Sequence, residues 1–235
     1  MMRWIWVLTL FIAPVTMSGF YANRKPNAEE QRAIDKYART MSKVLDQFRS
    51  DDWVETVDFA IANPTLNPAT DPPMDIDEIM QRTYRVRPGS ARDKKVIVPQ
   101  QQKTAQLKDP SDKQIAMART EDLKLLQVQV RCNQATPAMT SAPDPKTDPD
   151  VPGATFVHKD RNNPFSHGAA YVLFFSNGST GKWDQTNGLY RFKFAHPANT
   201  PYIENVEIRI YGAEDRIQEL LKKIDWKQVN AALTL

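Results

Sequence analysis

The sequence predicts an α+β protein, in which an antiparallel sheet of about four strands is covered by an N-terminal and a C-terminal amphipathic helix. Three observations support this prediction. Strand-like patterns recur at 125–133, 169–176, 189–196 and 203–211, a helical pattern follows the last of them, and a second helical pattern occupies 27–48. The last three strands and the helix after them predict a β-β-β-α unit at the C-terminus.

The strand patterns in this unit are of two kinds. Residues 170–175, AYVLFF, form an apolar run that fits a strand buried on both faces, although periodicity alone also fits a short buried helix. Residues 190–194 and 205–210 alternate between apolar and polar side chains, which predicts one face on a core and the other in water. In the last strand the residues expected to face water are Asn205, Glu207 and Arg209.

The helix that follows Gly212 carries an apolar stripe and charges that suit its dipole. Acidic residues lie in its first turn and Lys222 and Lys223 near its end, where each opposes the partial charge of that terminus. Asp225 can cap a short final helix. The stripe consists of Ile217, Leu220, Leu221 and Ile224.

Residues 27–48 give the strongest helical pattern in the chain. Asn27 can cap the helix, and Glu30 three residues later resembles a capping box. The apolar stripe consists of Ile34, Tyr37, Ala38, Met41, Val44, Leu45 and Phe48. The same positions fit about two heptads of a dimerising coiled coil, but stable coiled coils sustain more heptads, so we expect the helix to pack across the sheet.

The chain between this helix and the core is less regular. Residues 50–53, SDDW, are typical of a helix cap, so we expect a further short helix that completes a helical arm at 23–62. Residues 63–124 are expected to form an irregular Pro-rich and polar connection with short helices. Within it we expect a short edge strand at 83–86 and a surface segment at 91–113.

The α+β core is expected to span 125–235. A short helix at 111–122 precedes its first strand, 125–133, in which apolar and polar residues alternate. A loop at 133–153 carries five prolines and cannot supply a hydrophobic core, so we expect it to run over the surface.

Residues 1–22 have the parts of an export signal peptide. Arg3 supplies the positive start, an apolar stretch follows, and Thr16 and Ser18 lie at positions suited to cleavage after Ser18. The alternative is an uncleaved membrane anchor through 4–21, which is about the minimum length to span a bilayer. Either alternative predicts an exported protein, periplasmic or secreted in the first case and tethered to the membrane in the second.

Composition excludes several classes of protein. The 31 basic and 28 acidic residues are well mixed and leave a net charge of +3, which does not indicate nucleic-acid binding. A single cysteine, Cys132, excludes an intramolecular disulfide and any multi-cysteine zinc site. Because Cys132 lies on an alternating strand, we expect a buried structural thiol. The sequence indicates no cofactor.

One group of candidate residues could bind a metal ion. His158, Asp160 and His167 lie close together before the strand at 169–176, and two histidines with a carboxylate are what zinc or non-haem iron needs. Their spacing matches no metal motif, so two surface histidines in a loop are the favoured alternative. His196, at the end of a strand, could serve as a third histidine ligand.

A second group could bind an organic ligand. Trp183, Tyr190 and Tyr202 lie at or near strand ends, where they could form an aromatic platform. Packing against the Pro-rich segments is the favoured alternative. Residues 178–183, GSTGKW, are too short between the glycines for a phosphate loop and lack a Ser or Thr after the lysine, so we expect a hairpin connection there.

The sequence contains no convincing catalytic arrangement. There is no Gly-x-Ser-x-Gly pattern, and its adjacent acidic residues are those of ordinary helix caps. We therefore expect an exported non-catalytic protein that binds an extracytoplasmic protein or an envelope component. Two alternatives stay open: an exported metal-dependent hydrolase that uses the cluster of His158, Asp160 and His167, and an oligomeric scaffold joined through the 27–48 helix.

Overall fold

The computed structural model describes residues 28–59, 80–136, 150–160, 168–177, 180–197 and 202–231. These residues have the predicted α+β fold, with a six-stranded antiparallel sheet, a separate two-stranded sheet and helices. The helices are α1 Ala28–Asp46, α2 Val98–Gln106, α3 Pro110–Lys124, α4 Glu214–Lys223 and α5 Trp226–Ala231. The strands are β1 Trp53–Phe59, β2 Met80–Val86, β3 Leu125–Cys132, β4 Phe156–Asp160, β5 Ala169–Ser176, β6 Thr180–Asp184, β7 Leu189–Lys193 and β8 Asn205–Gly212.

The large sheet has the strand order β1-β2-β3-β8-β5-β4. Of the predicted strands, β3, β5 and β8 lie in it where the sequence indicated, and β2 contains the strand predicted at 83–86. β1 and β4 were not predicted. The prediction that 189–196 joins the same sheet is wrong, because β5 pairs directly with β8 and β7 pairs with β6. The hairpin instead covers the second face of β5, where Phe174 stacks on Phe192 at 4.1 Å between ring centroids.

The main core lies on the first face of the sheet, under α1 and α4. Alternate residues of β3, β8 and β5 point into it, including Val128, Ile208 and Leu173, all buried. The whole expected stripe of α4 is buried against the same face, as is Cys132. So are most residues of the expected α1 stripe: Ile34, Met41, Val44, Leu45 and Phe48. The apolar stripe of α1 is therefore used inside its own chain, as expected of a helix that packs across the sheet.

The segment after α1 is a strand, and the prediction of a short helix there is wrong. β1 pairs with β2 from Trp53 opposite Val86 to Phe59 opposite Gln81, with an irregularity between Glu55 and Val57. The Ser-Asp-Asp sequence before it forms a turn and not a helix cap. β2 is in turn longer than the predicted strand at 83–86, and it lies inside the sheet between β1 and β3.

The predicted surface segment at 91–113 is largely helical. A π-helical turn, Asp93–Ile97, runs directly into α2, and Ile97 anchors it with a buried side chain. Asp109 caps α3 by accepting hydrogen bonds from the backbone N–H groups of Ser111 and Asp112. The helix predicted at 111–122 is therefore confirmed, with slightly wider bounds.

The second face of β8 is not exposed to water, contrary to the prediction from alternation. Asn205, Glu207 and Arg209 are all buried. β8 lies between β3 and β5, and these polar side chains have partners: Glu207 pairs with Arg209, and Asn205 exchanges hydrogen bonds with the backbone of Gln134. Polar residues can occupy a buried face when their hydrogen-bonding groups find such partners.

The predicted signal or anchor at 1–22 lies outside the described residues. Among the helices of the described ranges, none combines the length and the apolar character needed to cross a membrane.

Tyr84 links β2 to α1 and makes stability depend on alkaline pH. Its side chain is 1% exposed, its hydroxyl donates a hydrogen bond to the carbonyl of Leu45 at 3.3 Å, and burial raises its pKa to about 12. The unfolded chain loses this proton near pH 10, so the contribution of Tyr84 is complete below pH 10 and is lost as pH rises to about 12.

We therefore expect the free energy of unfolding to fall between pH 9 and pH 11.5. In Tyr84→Phe it is expected to fall by about 2 kcal/mol less. Urea unfolding of both proteins at the two pH values measures the difference. An identical fall in the two proteins would show that Tyr84 ionises at its ordinary pKa.

Candidate functional site

A cavity of about 460 Å³ opens where α1 ends, β1 begins and α4 passes beside them. Its wall consists of Gln47, residues 49–53, Arg92 before the π-helical turn, and one face of α4. Trp53 and Leu220 give it an apolar side, and Arg216 is the most deeply buried charged residue that lines it. We refer to it as the Arg216 cavity.

Among the residues that line this cavity, the buried side-chain atoms without a hydrogen-bond partner are all donors. Arg216 is 1% exposed, and its guanidinium is in direct contact with the ring of Trp53. Within the described residues, none of its three side-chain nitrogens has a hydrogen-bond partner, nor does Nε1 of Trp53 or Nε of Arg92. Three nitrogens of Arg216 and one from each neighbour make five buried donors without an acceptor.

The carboxylates around the cavity are already paired or exposed. The two Nη atoms of Arg92 donate to the two carboxylate oxygens of Asp215 at 3.0 and 3.1 Å. Glu219 pairs with Lys223, and its side chain is 52% exposed. Asp52 accepts a hydrogen bond at 3.4 Å from the backbone N–H of Arg92. These three carboxylates thus have hydrogen-bond or ion-pair partners, whereas the side chain of Arg216 has none among the described residues.

The pKa values of Arg216 and Asp215 reflect this difference in pairing. Burial, with repulsion from Arg92 added, lowers the pKa of Arg216 to about 8, although Asp52, Asp215 and Glu219 act in the opposite direction. Burial also opposes ionisation of Asp215, but the hydrogen bonds and charge of Arg92, together with the backbone N–H and charge of Arg216, outweigh it and lower the pKa of that carboxyl. A guanidinium that stays protonated at neutral pH is therefore buried in this cavity at a cost in free energy.

Sequence reasoning missed this cavity, although one signal for Arg216 was present. Arg216 precedes Leu220 by four residues, so helical spacing places it on the apolar face of α4. A charged residue at such a position is a reason to look for a buried partner. Trp53 gave no comparable signal, because its position beside Arg216 depends on the pairing of β1 with β2.

The aromatic residues chosen from the sequence are only partly brought together. Trp183 and Tyr190 face each other across the β6–β7 hairpin, half-buried, and pack against the cluster of Phe156, Phe174 and Phe192. Tyr202 lies elsewhere, 48% exposed, and stacks on His196 at 3.8 Å between ring centroids. Trp183 also lines an open groove along the hairpin. Ligand binding by these residues stays a prediction.

The predicted metal ligands are described only in part. His158 is buried on β4, whereas His167 and the side chain of Asp160 lie outside the described residues. His196 pairs through Nδ1 with the buried carboxylate of Glu204 at 2.8 Å, so only its Nε2 could reach a metal. No cluster of three potential metal ligands occurs in the part of the chain that the structure describes. The metal site stays a prediction.

Among the described residues that line the Arg216 cavity there is no histidine or cysteine, and the hydroxyl of Ser50 accepts a hydrogen bond from the backbone of Asp52 at 3.4 Å. No protein-family model matches the chain, and comparison with curated proteins and with solved structures finds no significant match.

Proposed function

We propose that this protein is an exported, non-catalytic binding protein that holds part of an extracytoplasmic partner in the Arg216 cavity. The observation that carries the proposal is that three residues lining one cavity hold five buried donors without acceptors among the described residues. Buried polar groups are ordinarily hydrogen-bonded, and a group left unpaired is costly, so such a cluster favours a ligand that supplies acceptors. Export is supported by the signal-like pattern of residues 1–22.

The cavity is also held in shape before any ligand arrives. Arg92 is fixed by its double hydrogen bond to Asp215, and the backbone of Trp53 is held by Ser50 and by the side chain of Arg87. A binding site whose side chains are already ordered loses less conformational entropy when the ligand binds. This preorganisation supports recognition of a partner as the role of the site.

Site-specific cross-linking in the cells that make the protein tests the proposal. A photo-cross-linking residue in place of Asp51, exposed at the rim of the cavity, is expected to give a defined adduct in an extracytoplasmic fraction. The matched control replaces Gln114, which is also exposed but lies on α3 away from the cavity, and is expected to give none. Equal labelling from both positions, or protein confined to the cytoplasm, would contradict the proposal.

A further inference from the structure

Among the described residues, Arg216 differs from three other buried arginines in having no carboxylate partner. Arg82 pairs with Asp46 at 2.6 Å, Arg92 with Asp215 at 3.0 Å, and Arg209 with Glu207. Arg216 is more deeply buried than the other three, and within the described ranges no carboxylate lies within ion-pair distance of it. Since buried charges in proteins are normally paired, Arg216 is where an external counter-ion is expected.

The free donors specify what kind of group this is. Nε and the two Nη atoms of a guanidinium form a planar fork that matches a carboxylate or a phosphate with two parallel hydrogen bonds. Nε1 of Trp53 and Nε of Arg92 are two further unpartnered donors on residues that line the same cavity. A hydroxyl or amide ligand would bring donors of its own, whereas a carboxylate brings only acceptors and a phosphate group mainly acceptors.

We infer that the Arg216 cavity binds an oxyanion, a carboxylate or phosphate group, with Arg216 as its counter-ion, an identification that rests on the proposed function. The rim restricts what else the ligand carries. The rim carboxylates of Asp51 and Glu219 lie among exposed basic residues, so the entrance offers no continuous basic surface to an extended polyanion. The ligand is therefore a compact anion or a single anionic group on a partner, with an apolar part that packs on Trp53 and Leu220.

Thermal unfolding with simple anions as probes tests the inference. Potassium phosphate and potassium glutarate are titrated against potassium chloride at matched ionic strength, into the wild type and Arg216→Met. Phosphate stabilises many folded proteins by exclusion from their surfaces, so the decisive quantity is the difference between the two proteins. At saturation the wild type is expected to gain about 5 °C in Tm more than Arg216→Met.

Two comparisons separate this role from a purely structural one. Without anions, Arg216→Met is expected to have a Tm at least equal to that of the wild type, because methionine removes a buried unpaired charge. A structural ion-pair role predicts a lower Tm. Arg119→Met, which removes the same charge from an exposed position on α3, is expected to leave the anion response unchanged.

A second variant keeps the test decisive if Arg216→Met unfolds. Trp53→Phe keeps an aromatic ring at this position but deletes the Nε1 donor, so it is expected to weaken anion affinity roughly 5- to 10-fold. A response to phosphate alone or to glutarate alone identifies the class of oxyanion. Equal responses in the wild type and in both cavity variants would overturn the inference, and a rim-specific cross-link would then still support the proposed function with an uncharged ligand.

Discussion

Replacing Phe48 with alanine is expected to lower the free energy of unfolding by about 3–5 kcal/mol. Phe48 is fully buried in the turn that ends α1, where it belongs to the main core between that helix and the sheet. Truncation removes its apolar contacts and leaves a cavity that the surrounding side chains fill only partly. Urea unfolding followed by circular dichroism measures the change.

Ile115→Ala is the matched control. Ile115 lies on α3 with 52% of its surface exposed, so the loss is expected to stay within about 0.5 kcal/mol. A small loss at Phe48, or a loss that depends on protein concentration, would instead indicate that α1 packs between copies of the chain. That outcome would restore the oligomeric scaffold as an explanation of its apolar stripe.

The parts of the fold that could be predicted from sequence are those that a single segment specifies. The stripe of α1, the alternation of β3 and the apolar run of β5 each identify an element without reference to the rest of the chain. β1 could not be found in this way. Its first residues follow a Ser-Asp-Asp sequence typical of a helix cap, and its strand structure comes from pairing with β2.

The alternation of polar and apolar residues assigned the side chains of β8 to the correct faces, but it did not predict that both faces are buried. It places Glu207 and Arg209 opposite Ile208, as observed, yet it cannot show whether a polar face meets water or other buried groups. Alternation describes the chemistry of side chains, and burial depends on what long-range topology brings next to them. The same reasoning explains why β7 was placed in the wrong sheet.

The candidate site was less accessible to prediction than the fold. Histidines, carboxylates and loop aromatics were chosen because their chemistry is recognisable in any context. The Arg216 cavity instead depends on a basic residue within an apolar helical face and on Trp53, which lies far away in sequence. Only the three-dimensional arrangement shows that these two residues line one cavity and that their buried donors have no acceptors among the described residues.

The second large effect is expected at the ion pair on the buried face of β8. Glu207 has a fully buried side chain and pairs with Arg209, whose side chain is 10% exposed. Burial opposes the charge of Arg209, but the carboxylate of Glu207 and a hydrogen bond with Tyr211 together raise its pKa. Glu207→Leu removes this carboxylate and leaves the guanidinium buried, so the free energy of unfolding is expected to fall by about 3–5 kcal/mol.

The double variant Glu207→Leu with Arg209→Leu distinguishes the cost of a broken pair from the value of an intact one. Glu207 and Arg131 are directly paired residues of β8 and β3. Oε2 of Glu207 and Nε of Arg131 are buried without hydrogen-bond partners in the described chain, so the hydrogen bonding of these buried polar side chains is only partly satisfied. Removing both charges is therefore expected to regain most of the stability lost in the single variant.

Glu121→Leu, at an exposed pair with Arg85, serves as the control and is expected to cost less than about 1 kcal/mol. Urea unfolding of all three variants measures these differences. A double variant as unstable as Glu207→Leu would mean that the buried pair contributes net stability. The same comparison bears on Arg216, because both predictions depend on a buried guanidinium being costly whenever its counter-ion is absent.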